Sequence, residues 1–237
     1  MREFFNFDGP FNRYGGFVAD MLILSLMWLL FSLPLITIGA STSAMFYVST
    51  RRIADREGYI TSDFWYAFKS NFKRATALWG LLFVAIFLLW FNIYNIDIVG
   101  GAIANFILPA QFVFLIVVVL ITVYIFPMTA RFDMSVWQTI KSSFFMAIRH
   151  VFTSVTCVVL FFALLIGSMI IPIIIFLAPG IYAICSSYLL MRVFKKYRPE
   201  MDKDPVLEIA EIEAAKAEAR RRAEVGTFDE EELDNGN

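Results

Sequence analysis

The sequence predicts an all-α membrane protein: a polytopic helix bundle of about six spans, with two cytoplasmic interfacial amphipathic helices and an acidic helical tail. Three observations lead there. First, 59% of the residues are hydrophobic and 26 of the 237 are Phe, outside the composition of soluble domains. Second, the apolar residues collect in four runs, 17–38, 75–98, 103–126 and 151–194. Each run can cross a hydrocarbon core of about 30 Å at about 1.5 Å per residue. Third, the connections between runs are basic and aromatic, and 15 of the 20 Lys and Arg precede residue 199.

Residues 1–11 contain FFNFDGPF and lack a basic-then-apolar leader with a small-residue cleavage site, so they read as an interfacial segment. Pro34 interrupts the first run and divides it into spans near 15–33 and 34–50. The second of these is short. Its Gly39, Ala40, Ser41, Ser43 and Ala44 are the small residues that let helices approach closely in lipid. An interfacial helix over 61–74, spans near 75–97 and 103–127 and a second interfacial helix over 133–149 follow. The last run is too long for one crossing. Pro172 and the pair Pro179-Gly180 divide it into spans near 151–170 and 172–194, with the turn near 167–172 and a kink in the return helix. With six spans all 15 cations fall on one side; with five, Arg2 and Arg13 move to the other. Basic residues concentrate in cytoplasmic loops, so the bias favours six spans with both termini in the cytoplasm.

Residues 1–198 form the membrane domain, with a net charge of +7 from 15 basic and 8 acidic residues. Residues 199–237 hold 5 basic and 13 acidic residues, a net of −8, and read as a solvated cytoplasmic tail. Asp204-Pro205 opens a helix over about 205–225, and FDEEELDNGN beyond it reads as disordered. Such a tail is repelled by anionic lipid and has the wrong sign of charge for nucleic acid.

The connections carry the most specific pattern. Trp65, Lys69, Ser70 and Phe72 recur as Trp137, Lys141, Ser142 and Phe144, at an offset of 72 residues. Both segments are amphipathic at helical spacing, the first through Phe64, Trp65, Phe68 and Phe72, the second through Trp137, Ile140, Phe144 and Ile148. A duplicated unit of span, interfacial helix and span explains this. So does the general preference of interfacial helices for Trp, Phe and Lys. Trp65, Phe68, Lys69, Ser70, Phe72, Trp137, Lys141, Ser142 and Phe144 are therefore the candidate partner surface, with the lysines orienting a partner or binding phospholipid.

The amino-terminal half also resembles the YesL-like family of bacterial integral membrane proteins, a family of unknown function. The resemblance is carried by LPLITIGA at 33–40 and by the Phe-x-x-x-Phe-Lys-x-Asn-Phe pattern at 64–72. In layout it extends over residues 1–195, and the tail lies outside it. The resemblance implies a bacterial plasma-membrane location and a carbohydrate-utilisation context, and it carries over no catalytic or ligand residue.

The chemistry expected of an enzyme is missing from the pattern. There is no Gly-x-x-x-x-Gly-Lys-Ser/Thr loop, Gly-x-Ser-x-Gly elbow, His-x-x-x-His or Cys-x-x-Cys. No catalytic residue, metal site or cofactor is expected. The single His150 reads as an interfacial residue, and Cys157 and Cys185 read as small packing residues inside spans. Asp20 reads as an interface carboxylate rather than an ion-coupling site. Two functions remain: an accessory or scaffold component of carbohydrate uptake, or a self-contained carrier or exporter of small polar molecules such as sugars. The second would use Thr37, Ser41, Thr42 and Gln111, joined by Asn92, Thr122 and Thr156, as a polar cavity for sugar hydroxyls. Those same side chains can instead bond their own backbone or neighbouring helices. The expected partners are the lipid bilayer, carbohydrate importer subunits and further copies of the chain.

Overall fold

The computed structural model describes residues 10–54, 59–96 and 101–197. The expected interfacial segment before residue 10 and the acidic tail with its helix at about 205–225 lie outside these residues. The described residues are helical apart from short connections: α1 (Pro10–Ser32), a 3-10 turn (Leu35–Thr37), α2 (Ile38–Ile53), α3 (Ile60–Tyr94), α4 (Gly101–Arg131), α5 (Val136–Arg149), α6 (Val151–Ile170), a second 3-10 turn (Pro172–Phe176) and α7 (Ala178–Tyr197). Backbone packing divides the chain after Val193, and residues 194–197 are the described part of the second unit.

Three helices are long and apolar enough to cross a membrane: Ile60–Tyr94, Asn105–Arg131 and Val151–Ile170. Val18–Ser32 is apolar but shorter. The fold is thus all-helical with three candidate membrane-spanning helices among the described residues. At 16 residues, α2 is about 24 Å long, short of the hydrocarbon thickness.

Pro34 acts as its chemistry requires, ending α1 at Ser32 and leaving a 3-10 turn before α2 begins at Ile38. The turn's carbonyls find internal partners. Thr37 Oγ1 donates to Phe31 O at 2.6 Å and Pro34 O at 2.7 Å, and Trp79 Nε1 of α3 donates to Leu35 O at 2.8 Å. The apolar side chains of Leu33, Leu35 and Ile36 at the tip are exposed.

The core is built around α2, whose residues are buried from Gly39 to Ser41 and from Ser43 to Thr50. Its most extensive neighbour is α3, which runs antiparallel to it. Arg51 at the end of α2 meets Asp63 near the start of α3, and Gly39 at its start meets Ala75 and Trp79. Since Trp79 reaches Leu35, α3 continues about 22 Å past the tip of the α1–α2 hairpin. The buried seam of α3 follows the spacing of a helix packed along one face: Phe64, Ala67, Phe68, Asn71, Ala75, Leu78, Leu82 and Leu89. Every residue of α4 from Val123 to Ala130 is buried, because α2, α3 and α5 all pack on helix α4.

Two of the expected boundaries differ. The interfacial helix at 61–74 and the span at 75–97 are one continuous helix, since nothing between Lys73 and Leu78 breaks helical geometry. The return helix expected to start at 172 starts at Ala178 instead. Residues 172–176 form a 3-10 turn, with Pro172 at its first position, and Pro179-Gly180 sits in the first turn of α7 rather than at a kink.

Candidate functional site

The candidate surface is built from the first half of α3 and from α5. In α3, Phe31 of α1 lies over Phe64, Trp65 and Phe68, with ring centroids 5.6, 5.5 and 5.3 Å away. Phe64 and Phe68 are buried by this contact, while Trp65 and Phe72 remain part-exposed at 43% and 37%. Trp65 stacks on Phe68 at 5.8 Å, and Lys69 Nζ stands 4.7 Å over the Trp65 ring, a cation–π contact one helical turn away. Ser70 Oγ donates to Ala67 O at 3.2 Å within its own helix.

Helix α5 begins with a capping box. The Gln138 backbone N–H donates to Ser135 Oγ at 3.3 Å, and Gln138 Oε1 accepts from the Ser135 backbone N–H at 3.1 Å. Its buried face is small and polar, made of Thr139, Ser143 and Ala147, and packs on the end of α4, where Ser143 Oγ donates to Met128 Sδ at 3.4 Å. The aromatic face points the other way: Trp137, Phe144, Phe145 and Ile148 are all exposed, as is Lys141.

The two segments thus present corresponding faces. At the offset of 72, buried Ala67, Asn71 and Ala75 correspond to buried Thr139, Ser143 and Ala147. Outward-facing Trp65, Lys69 and Phe72 correspond to outward-facing Trp137, Lys141 and Phe144. Ser142 is half-buried, whereas Ser70 is exposed. The helices differ in how they continue. α3 runs straight on after its aromatic segment, while α5 ends at His150, whose backbone at φ −122° and ψ 48° turns the chain into α6.

Charges fix the ends of these elements. Arg51 Nη1 bonds Asp63 Oδ1 at 2.9 Å with both side chains largely buried, and Arg52 bonds Asp20 across to α1. Asp20 therefore serves as an ion-pair partner between α1 and α2. Arg74 bonds Asp133 and, at 3.3 Å, Met134 O, tying α3 to the α4–α5 corner.

The residues considered for a polar cavity are distributed differently. Ser41 Oγ donates to Thr37 O at 3.0 Å, and Thr42 Oγ1 donates to Ile38 O at 2.7 Å while accepting from Trp28 Nε1 at 3.1 Å. Thr122 and Thr156 donate to the carbonyls of Val118 and Phe152, both at 2.8 Å. Gln111 lines a groove of about 480 Å³ between α3 and α4 together with Asn92, and Thr37, Ser41 and Thr42 do not border it.

The α2–α3 contact also holds the two sequence patterns that carried the family resemblance. Gly39 of the first packs beside Ala75 and Trp79, just past the second. A family model covers both, matching residues 21–93, and its description is a protein of unknown function. This segment matches DUF624. DUF624 is the YesL-like family of bacterial membrane proteins, so the resemblance stands over the hairpin and α3. No curated protein and no solved structure matches the chain. Within the DUF624 segment, sequence reasoning missed Trp79 and Ser25. Trp79 bonds the turn; Ser25 Oγ accepts from Gly180 N at 2.8 Å and so caps α7 from α1. Neither lies in a local pattern that would have marked it.

Proposed function

We propose that this DUF624 protein is a multi-pass membrane protein with both termini and its basic connections in the cytoplasm. In this reading it catalyses no reaction and serves as an accessory or scaffold component of carbohydrate uptake. The observation that carries the reading is the correspondence of outward faces. Of the buried pairs, Ala67/Thr139 and Asn71/Ser143 differ in chemistry and Ala75/Ala147 is kept, all of them small or medium side chains. Three outward positions repeat as Trp, Lys and Phe, while Tyr66 and Lys73 correspond to Gln138 and Phe145. Trp65 and Phe72 also touch Phe68, but Trp137 and Lys141 stand exposed on α5, and one kind of partner met twice accounts for the repeat on both helices. Trp is among the residues that anchor interfaces, and the adjacent lysines supply orientation. The carbohydrate context rests on the family resemblance.

A carrier needs donors and acceptors free to meet a sugar. The hydroxyls of Thr37, Ser41, Thr42, Thr122 and Thr156 are spent on nearby backbone carbonyls, which favours the scaffold reading. The test is purification from native membranes after mild crosslinking, comparing the unaltered chain with Trp65→Ala/Trp137→Ala. The expected result is importer permease or ATPase subunits recovered in stoichiometric amounts with the unaltered chain and at least about tenfold less with the variant. Equal recovery with the variant would remove these helices from the reading. An unaltered chain that emerges alone would overturn it.

A further inference from the structure

We propose that α3 binds an anionic phospholipid, with the lipid phosphate held by Lys69, Ser70 and Lys73 and an acyl chain lying along Ala77, Gly80 and Val84. A hollow of about 620 Å³ opens on this part of the helix, bordered by Phe68, Lys69, Ser70, Phe72, Lys73 and Arg74. Residues 75–94, the remainder of α3, are about 30 Å long, the thickness of a hydrocarbon core, so the hollow stands at headgroup depth. Lys69 and Lys73 lie one helical turn apart, both exposed, and neither meets a carboxylate among the described residues. Arg74 differs, because Asp133 and Met134 O already answer its charge. The exposed Ser70 hydroxyl, bonded at 3.2 Å to Ala67 O, can turn to donate to a phosphate oxygen instead.

The charge and the surface beyond it together select the ligand. Two ammonium groups without an acidic neighbour favour a phosphate whose headgroup carries no compensating cation, as in phosphatidylglycerol, over a zwitterionic one. From there the helix offers a track for a chain. Lys69, Lys73, Ala77, Gly80 and Val84 are all exposed and fall within about 80° of one another around α3. Ala77 and Gly80 are small, and a Cβ added at Gly80 meets nothing within 4 Å. Lys73 to Val84 is about 16 Å along the axis, the depth of one leaflet. A free phosphate gains nothing from this track, whereas a lipid gains apolar contact along its length. At the offset of 72, α5 has Phe145 where α3 has Lys73, so α5 does not repeat the lysine pair. The inference stands apart from the docking reading: Lys73→Gln leaves both Trp faces in place, and partner recovery with Trp65→Ala/Trp137→Ala is a separate measurement.

The test binds radiolabelled phosphatidylglycerol to the purified full chain in a neutral detergent. Unlabelled phosphatidylglycerol, phosphatidylcholine with the same acyl chains, and inorganic phosphate then compete for it. The expected result is displacement by phosphatidylglycerol at about tenfold lower concentration than by phosphatidylcholine, and none by inorganic phosphate over the same range. Lys73→Gln should weaken phosphatidylglycerol binding about fivefold and Lys73→Arg much less. Arg192→Gln removes an exposed cation from α7 and should leave binding unchanged, which general attraction between charges would not. Gly80→Leu fills the track, and should weaken both lipids while keeping their ratio. All these positions are exposed, so the variants should remain folded, with melting as the check. Equal competition by the two lipids would overturn the proposal, as would equal losses in Lys73→Gln and Arg192→Gln. Displacement by inorganic phosphate together with unchanged binding in Gly80→Leu would overturn it too, and would assign the hollow to a free anion.

Discussion

At the scale of single residues, the same amino acid is decisive in one place and incidental in another. A Cβ added at Gly39 would stand 2.6 Å from Trp79 Cβ and closer still to the Ala75 carbonyl oxygen, whereas one added at Gly80 meets nothing within 4 Å. The backbones of α2 and α3 touch at the first position, and neither can move without disturbing the Trp79 bond to the turn. Gly39→Ala should therefore destabilise the protein by about 1–3 kcal/mol through overpacking. Gly80→Ala should stabilise it by about 0.5–1 kcal/mol through the backbone entropy that glycine otherwise loses in a helix. Thermal unfolding of the two variants in one detergent should show melting temperatures displaced in opposite directions. Ser25→Ala is a second test at this scale. It leaves the Gly180 N–H in α7 without its acceptor and should cost about 1 kcal/mol, as the loss of an ordinary N-cap does.

At the scale of elements, α5 shows how a helix can be amphipathic and still bury its less apolar side. Thr139, Ser143 and Ala147 are small enough for α5 to lie close on α4, while the aromatic side chains are too large for that contact and face outward. This sets an expectation opposite to the usual one for a folded helix. Phe145→Gln and Trp137→Gln should leave the fold intact, with changes within about 0.5 kcal/mol, whereas Ser143→Leu should cost about 1–3 kcal/mol. Protease resistance and melting of the purified variants would check the order; a Phe145→Gln variant that melts far below Ser143→Leu would invert the assignment of faces. The sequence made the helix itself legible, because the period of Trp137, Ile140, Phe144 and Ile148 is helical and Ser135 precedes it. It did not reveal which face is buried, since burial depends on the shape of α4. The same limit applies to α3. Its aromatic segment and its apolar run were both visible, but their union in one helix of 35 residues follows from the lack of any breaker between them. The gap before α7 shows the reverse: Pro172 marks the division of the last apolar run in the sequence, but the 3-10 turn it opens delays the return helix to Ala178.

At the scale of the whole molecule, ion pairs among the described residues tie together elements that are distant in sequence, and burial ranks them. Arg51–Asp63 joins α2 to α3 with side-chain exposures of 13% and 17%, whereas Arg74–Asp133 joins α3 to the α4–α5 corner with exposures of 30% and 91%. The sequence placed these charges in the connections but gave no pairing, because partners separated by 12 and 59 residues meet only once the hairpins have formed. A pair open to water contributes little, since hydration and salt compete with it. A largely buried pair is a different matter, because removing one member leaves the other charged and poorly solvated. Asp133→Asn should accordingly cost less than about 1 kcal/mol and should become indistinguishable from the unaltered chain as salt is raised. Asp63→Asn should cost more, about 3 kcal/mol, with little dependence on salt, because it removes a carboxylate from beside a largely buried guanidinium that also lies 5.9 Å from the Tyr47 ring. Replacing both partners with apolar residues, as in Arg51→Met/Asp63→Leu, should recover much of that loss, since no charge then remains to be buried. Melting temperatures of the single and double variants at low and high salt would decide. An Asp63→Asn variant no less stable than Asp133→Asn would mean that the α2–α3 contact is held by its apolar seam alone, with the ion pair as a passenger.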